Sequence, residues 1–284
     1  MRGYVDTDWG QLHYRQSGPA TSEGAPVVVL FHESPRSSLV YEPIMATLGE
    51  SVTAVAFDTP GFGQSDSAPA GADLSEYAVI LLQAIDALGI GAFTPVGMKT
   101  GSSIAIAVAT AADPARVNAA VLYGTDLPDA ERSERYALTW APALEIPADG
   151  SLFARLWAKN VGIYGDDSPR DLAVTVAETV LNIDRYNSIY PTVFRSSTIT
   201  HANMLALRDR GVALTFIYPP EAHMTPDEVL SFVRIEGTTS ITMPVTGQFA
   251  ARAPEPFVAA ILAAAEAASE AATAATAATA SVTA

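Results

Sequence analysis

The sequence predicts an α/β protein with a mostly parallel central sheet flanked by helices, and three observations carry that prediction. Short apolar-rich runs, such as the continuous Val27–Phe31 and residues 51–57, have the length and character of strands buried on both faces. These runs alternate with helical patterns through the first 125 residues, the signature of strand–helix–strand units. Between residues 128 and 196 strand patterns are missing and helical spacing takes over, so a helical insert divides one sheet into two parts.

Taken in order, residues 4–6 and 11–15 alternate around Asp8-Trp9-Gly10 and form an opening antiparallel hairpin. Ala25-Pro26 introduces the first buried strand, 27–31, and residues 40–48 have helical spacing. The second buried strand, 51–57, ends in Asp58-Thr59-Pro60-Gly61-Phe62-Gly63. Residues 74–88 form an amphipathic helix that Asp73 is suited to cap. A strand at 93–96, a helix at 102–112 and a strand at 118–123 follow. Helices are expected in the insert at 129–140, 151–160, 169–183 and 185–194. Beyond it come a helix at 202–210, a strand at 212–218, a helix at 225–233, a last strand at 240–243 and a closing helix from 257. The domain reading is a core over 1–127 and 197–270, a helical lid over 128–196, and a tail over 271–284. The Ala/Thr repeats of that tail have almost nothing to bury, and it is expected to be disordered. Inserts at this point of a sheet cover the carboxyl edge of the strands, where open α/β folds bind ligands.

Composition excludes several classes. Of 284 residues, 49% are hydrophobic and 17% charged, which rules out a chain disordered for most of its length. A formal charge of −15 disfavours nucleic acid and anionic membrane surfaces as partners. The absence of cysteine excludes disulfides, thiolate metal sites and cysteine nucleophiles. The opening residues lack a basic segment followed by an apolar core, and no apolar run is long enough to span a bilayer, so a cytoplasmic location is expected. The four histidines, His13, His32, His201 and His223, are scattered without metal-ligand spacing, and no metal is expected. Gly61-Phe62-Gly63 lacks the Lys-Ser/Thr of a phosphate cradle, so no nucleotide or other cofactor is expected. The expected partner is a small-molecule substrate or ligand, and a homodimer stays open.

Three stretches point to a family. Phe31-His32-Glu33-Ser34-Pro35 follows a buried strand and is similar to a His-Gly-x-Pro loop. Asp58-Thr59-Pro60-Gly61-Phe62-Gly63-Gln64-Ser65-Asp66 closely matches a D-x-P-G-x-G-x-S-D segment. Val96-Gly97-Met98-Lys99-Thr100-Gly101-Ser102 occupies the slot of a G-x-S-x-G nucleophile elbow. In order and spacing, from about residue 4 to 257, the chain resembles the α/β-hydrolase superfamily, with a lid-bearing architecture like that of haloalkane dehalogenases and epoxide hydrolases. The resemblance implies the family fold; it also exposes three substitutions. Lys99 stands where the family carries its nucleophile, Ala222 fills the slot of the acid, and Gln248 stands in the place of the histidine.

The elbow lifts one side chain above the sheet, and the helix that follows aims its positive end at the site. If the family geometry holds, the backbone amides of Ser34 and Thr100 form an oxyanion site. Desolvation and the helix dipole push a lysine here toward a free amine, suited to imine formation or base chemistry; a nearby carboxylate keeps it charged. Glu33 and Asp126 are the two carboxylates in reach, and a contact from either would make Lys99 an electrostatic anchor instead of a nucleophile. Lys99 and Lys159 are the only lysines, against 14 arginines, which hints at a specific role for Lys99.

The remaining candidates are weighed on position. His32 is expected to hold the oxyanion loop, and His223 is a pocket candidate beside the acid slot. His201 could cap a helix or face the pocket, while His13 is expected to face solvent. From the insert, Tyr136, Trp140, Tyr186 and Tyr190 are expected to line the pocket ceiling, among six aromatics that also include Trp157 and Tyr164. The functional expectation is a cofactor-free enzyme acting on a small, largely apolar carbonyl compound, with Lys99 central and Gln248 its hydrogen-bond partner. Lyase, isomerase, cyclase and atypical hydrolase chemistry stay open; ordinary serine esterase chemistry is disfavoured, since Lys and Gln cannot complete a Ser–His proton relay. A catalytically silent small-molecule-binding or protein-interaction member of the fold is the alternative, and a hydrolase using His223 or His201 in a rearranged geometry is a third.

Overall fold

The computed structural model describes residues 1–125, 127–224, 229 and 232–282. Among them eight strands form one sheet: β1 (Arg2–Thr7), β2 (Gly10–Ser17), β3 (Val27–Phe31), β4 (Thr53–Phe57), β5 (Thr94–Met98), β6 (Ala119–Tyr123), β7 (Ala213–Tyr218) and β8 (Thr239–Thr242). Their spatial order is β1-β2-β4-β3-β5-β6-β7-β8. The hairpin β1–β2 and its junction with β4 are antiparallel, and every pairing from β4 to β8 is parallel. Strands β3 to β6 are buried at every residue, which is why they read as largely apolar runs, with a threonine at the start of β4 and of β5.

The helices are α1 (Glu42–Leu48), α2 (Leu74–Ala87), α3 (Thr100–Ala111), α4 (Ala130–Thr139), α5 (Ser151–Tyr164), α6 (Pro169–Leu181), α7 (Tyr190–Arg195), α8 (Ser197–Asp209), α9 (Phe249–Arg252) and α10 (Pro254–Val282). The period of two along β3 divides them between two cores. Val29 and Phe31 pack with Leu81, Ile104 and Met204 of α2, α3 and α8, while Val28 and Leu30 pack with Ile44 and Ile261 of α1 and α10. Asp73 caps α2 in a reciprocal capping box with Glu76.

Four expectations change. His13 is buried, not solvent-facing, because β2 pairs with β4 and carries it under the Asp58 loop. The helix expected at 185–194 is confined to α7, with turns before Tyr190 and Pro191 in its first turn. The helix expected at 225–233 falls largely outside the described residues and does not extend to Val233, whose N–H bonds the Thr125 carbonyl at 3.2 Å. Finally, α10 runs on to Val282 where a disordered tail is expected, in keeping with the high helix propensity of alanine.

The sheet order places the site. The chain turns back across the sheet between β4 and β5, so β3 and β5 are neighbours, with Phe31 opposite Gly97. The loops after these two strands therefore emerge side by side at the carboxyl edge, one carrying Glu33 and the other Lys99.

Candidate active site

Lys99 sits at the turn between β5 and α3 with φ 49° and ψ −112°, a backbone state a side-chain-bearing residue rarely adopts. The turn is held by the Lys99 N–H on the Tyr123 carbonyl at 2.7 Å and the Ser102 N–H on the Lys99 carbonyl at 2.8 Å. Gly97 and Gly101 are required by close approach: a Cβ on the first would collide with the Ser102 backbone, and on the second with the Phe31 carbonyl oxygen. Sequence and geometry thus agree on a tight elbow that presents one side chain above the sheet.

The Lys99 ammonium lies 3.0 Å from Glu33 Oε2 and donates to the Tyr164 hydroxyl at 2.8 Å. Tyr164 is the last residue of α5, and its hydroxyl is 3.4 and 3.5 Å from the two Glu33 oxygens. Burial alone would lower the Lys99 pKa, but the facing Glu33 carboxylate, with Tyr164 and Tyr123, outweighs it and holds the amine well above the ordinary lysine value. For Glu33 burial acts upward, and the Lys99 and Arg36 charges overcome it, so the carboxyl is held below its usual range. Tyr164 is pushed up, by burial first and by Glu33 second, and is a neutral phenol. The trio at neutral pH is ammonium, carboxylate and phenol. The Glu33 side chain is 3% exposed; that of Lys99 keeps 34% of its surface accessible.

Glu33 is also tied to the insert. Arg36 Nη1 lies 3.9 Å from Glu33 Oε1, its Nε donates to Glu178 Oε2 at 2.5 Å, and its Nη2 to Asp171 Oδ1 at 3.4 Å. The Ser37 hydroxyl donates to the other Glu178 oxygen. Charges of alternating sign therefore run from the elbow through the β3 loop into α6. Buried chains of this kind lose about 3–5 kcal/mol when one partner is removed, because the charge left behind is uncompensated.

Above Lys99 is a cavity of about 440 Å³ whose walls are largely apolar, among them Leu156, Ile163, Val193 and Phe194 from the insert, and Phe232. Trp140, Tyr186 and Tyr190 line it; Tyr136 is not among the lining residues and packs against Trp140 and Phe194, with ring centroids 5.1 and 5.3 Å away. The Tyr190 hydroxyl donates to the Ser34 carbonyl at 2.6 Å, and burial raises its pKa.

Several expected roles are redirected. The Ser34 amide does not point at an open oxyanion site: it donates to the Thr100 hydroxyl at 2.7 Å. Thr100 opens α3, where backbone N–H groups have no acceptor within the helix, so its amide remains the donor of that pair. Gln248 does not reach Lys99. It is buried in a left-handed backbone state and donates to the Thr175 hydroxyl at 3.1 Å, while its own Oε1 has no partner among the described residues. His32 is fully buried: Nδ1 donates to the Glu33 carbonyl at 3.0 Å, and Nε2 accepts from the Thr59 N–H at 2.9 Å, so the ring is neutral and structural. His201 and His223 are exposed and line no part of the cavity. Asp126 lies outside the described residues. Arg36 and Glu178 escaped the sequence reading, and Tyr164 was named only among the insert aromatics; the placement of α5 brings Tyr164 to Lys99, and that of α6 brings Glu178 to Arg36 of the β3 loop.

Among the described residues no group of three or more His, Cys, Asp or Glu side chains could hold a metal ion, and no helix is long and apolar enough to cross a membrane.

Comparison with known proteins follows the same lines. Haloalkane dehalogenase 2 of Mycobacterium tuberculosis is 32% identical over 107 residues, covering 37% of this chain and 36% of that protein. The 2-(acetamidomethylene)succinate hydrolase of Mesorhizobium japonicum is 30% identical over 152 residues, covering 54% of this chain and 47% of the other. The matches thus span about a third to a half of these curated relatives. Among solved structures, an epoxide hydrolase mutant of Vigna radiata aligns with a TM-score of 0.68 at 16% identity, over 94% of this chain and 98% of that one. The enol-lactonase of Burkholderia xenovorans aligns with a TM-score of 0.59 at 16% identity, over 92% and 98%. At such identities these structures speak to the fold alone. The family model described as alpha/beta hydrolase fold matches residues 26–180, more than half of the chain, and that span holds both the β3 loop and the elbow. On this match, this sheet order and this turn, the chain belongs to the alpha/beta hydrolase fold family.

Proposed function

We propose that this chain is a cofactor-free enzyme acting on a small, largely apolar carbonyl compound, with Lys99 serving as a fixed cation for the oxygen that gains negative charge. The observation that carries the reading is the 3.0 Å contact between the Lys99 ammonium and the nearly inaccessible Glu33 carboxylate, at the floor of an apolar cavity. Imine formation needs the free amine, and Glu33 opposes its release. A charged Lys99 instead offers a donor already aimed at the cavity, with Tyr164 holding its direction. Such a donor costs little reorganisation when an enolate or tetrahedral oxyanion forms, and loss of a comparable one lowers turnover by about 10²–10³. With Lys99 and Gln248 at the elbow and histidine positions, a Ser–His relay has no members here. Reactions driven by charge stabilisation, such as carbon–carbon cleavage, isomerisation or cyclisation, fit the residues better, and an atypical hydrolysis fits if water is activated by another route.

One observation favours a second reading, a binding protein that grips a carboxylate or carbonyl without turnover: none of the four histidines lines the cavity. The test is a panel of β-keto acids, 1,3-diketones and lactones followed by mass spectrometry, with Lys99→Met as the comparison. The enzyme reading expects turnover that falls about 100-fold or more in Lys99→Met and no borohydride-trapped adduct on Lys99. Undiminished turnover in the variant overturns it, and ligand-induced thermal stabilisation without turnover of any panel member selects the binder.

A further inference from the structure

The chain's only two lysines line the same cavity. Lys99 forms its floor, while Lys159, exposed on α5, stands in its wall beside Asn160, Ile163 and Tyr164. The other charged lining groups are Glu33 and Arg36. Glu33 is engaged by Lys99 at 3.0 Å, and Arg36 by Glu178 and Asp171 at 2.5 and 3.4 Å. Lys159 differs from all of them: among the described residues no acidic side chain pairs with it. In a chain of net charge −15, the one uncompensated charge on the cavity wall among the described residues is therefore positive.

Helix geometry relates the two cations. Tyr164, whose hydroxyl accepts from Lys99, lies five residues after Lys159 on α5, a rise of roughly 7–8 Å along the axis. Residues 159, 160, 163 and 164 recur at the helical spacing of one face, so the helix that steadies Lys99 also presents Lys159 to the lumen. Apolar residues of the same helix, Leu156 and Ile163, line the cavity as well. A matching ligand has two oxygen-bearing ends, separated by a few carbons, on an apolar body.

We propose that Lys159 is a specificity-determining residue that binds the carboxylate of an oxo-acid ligand, while Lys99 receives its carbonyl oxygen. The inference deepens the proposed function and rests on Lys99 as the carbonyl anchor. It narrows the substrate class from carbonyl compounds in general to those with a carboxylate several bonds away, such as 5-oxo acids. It also supplies a reason for an acidic protein to draw in an anion: an unpaired cation at the site raises the local concentration of the opposite charge.

The test is isothermal titration calorimetry of the full chain with 5-oxo-5-phenylpentanoate and its methyl ester, on wild type, Lys159→Gln and Lys99→Met. Wild type is expected to bind the acid about tenfold or more tightly over the ester, a preference erased in Lys159→Gln through weaker acid binding alone. Added salt is expected to weaken acid binding in wild type and to do so much less in Lys159→Gln. Equal affinity for acid and ester, an unchanged preference in Lys159→Gln, or no binding of either compound overturns the proposal. Lys99→Met separates it from the reading beneath. Binding of the ester that depends on Lys99, without acid preference, leaves the carbonyl anchor standing and sinks the Lys159 site. Acid preference that survives in Lys99→Met, with ester affinity unchanged, keeps the Lys159 site and sinks the anchor.

Discussion

The β3 loop separates two buried polar clusters built from similar groups. On one side, Asp58 accepts from the Ser38 N–H at 2.7 Å and the Gln64 N–H at 2.9 Å and pairs with His13 Nδ1 at 2.9 Å, while His32 holds Thr59. On the other, Glu33 pairs with Lys99 and stands near Arg36. The first cluster is closed: His13, His32, Asp58 and Thr59 are each at most 2% exposed, and none lines the cavity. In the second, Glu33 and Arg36 are nearly inaccessible, while the Lys99 side chain keeps about a third of its surface accessible at the cavity. An ionised carboxylate under a sheet edge does not by itself mark a functional site; what distinguishes the two is whether a charged partner remains reachable by a ligand.

The contrast can be broken most strongly at Asp58. Asp58→Ala leaves two backbone N–H groups and His13 without their acceptor, and is expected to lower unfolding stability by about 3–5 kcal/mol in urea titrations. Ligand response in the surviving folded protein should be unchanged. An effect below about 1 kcal/mol would show that the loop stands without its carboxylate.

A smaller effect sharpens the same point through pH. Burial would raise the Asp58 pKa, but the bond from His13, the nearby His32 and the bonds from Ser38 and Gln64 lower it from 3.8 to about 2. The folded state therefore binds fewer protons than the unfolded state between these values. The stabilisation, about 2–3 kcal/mol, is fully present above the unfolded pKa and is lost as pH falls from about 4 through 2. Asp58→Asn is expected to flatten this part of the stability profile; an unaltered acid limb would place the titrating group elsewhere.

The smallest effect belongs to the open cluster. A double-mutant cycle between Lys99→Met and Glu33→Gln is expected to give a coupling of about 1–2 kcal/mol in urea denaturation, less than a sealed pair because a third of the Lys99 side chain is accessible. Zero coupling would mean that Arg36 alone steadies Glu33 and that Lys99 is not held.

How much was legible follows from what kind of information each feature uses. The buried strands, the Asp73 cap and the three loop motifs are local, and the elbow is legible because Gly97 and Gly101 flank Lys99 at the spacing of its motif, although the contact that Gly101 serves, with Phe31, is long-range. The inward turn of His13 was missed because it depends on the pairing of β2 with β4, which the sequence does not print. Of the two carboxylates in reach of Lys99, the structure brings Glu33 to it, while Asp126 lies outside the described residues. Tyr164 stood among six insert aromatics, outside the four expected to line the pocket, and only the placement of α5 brings its hydroxyl to Lys99.

By itself, then, the sequence determined a parallel sheet, an insert before β7 and a lysine at the sharp turn after β5, because burial periodicity and turn chemistry are written in neighbouring residues. Only the tertiary structure decided what that lysine is. Its partners lie 66 and 65 residues away along the chain, one in the adjacent loop and one at the end of a docked helix. The charge of an amine is set by the carboxylate and phenol that packing brings to it, and the Coulomb energy between such groups depends on their distance in space and their burial, not on their separation in sequence.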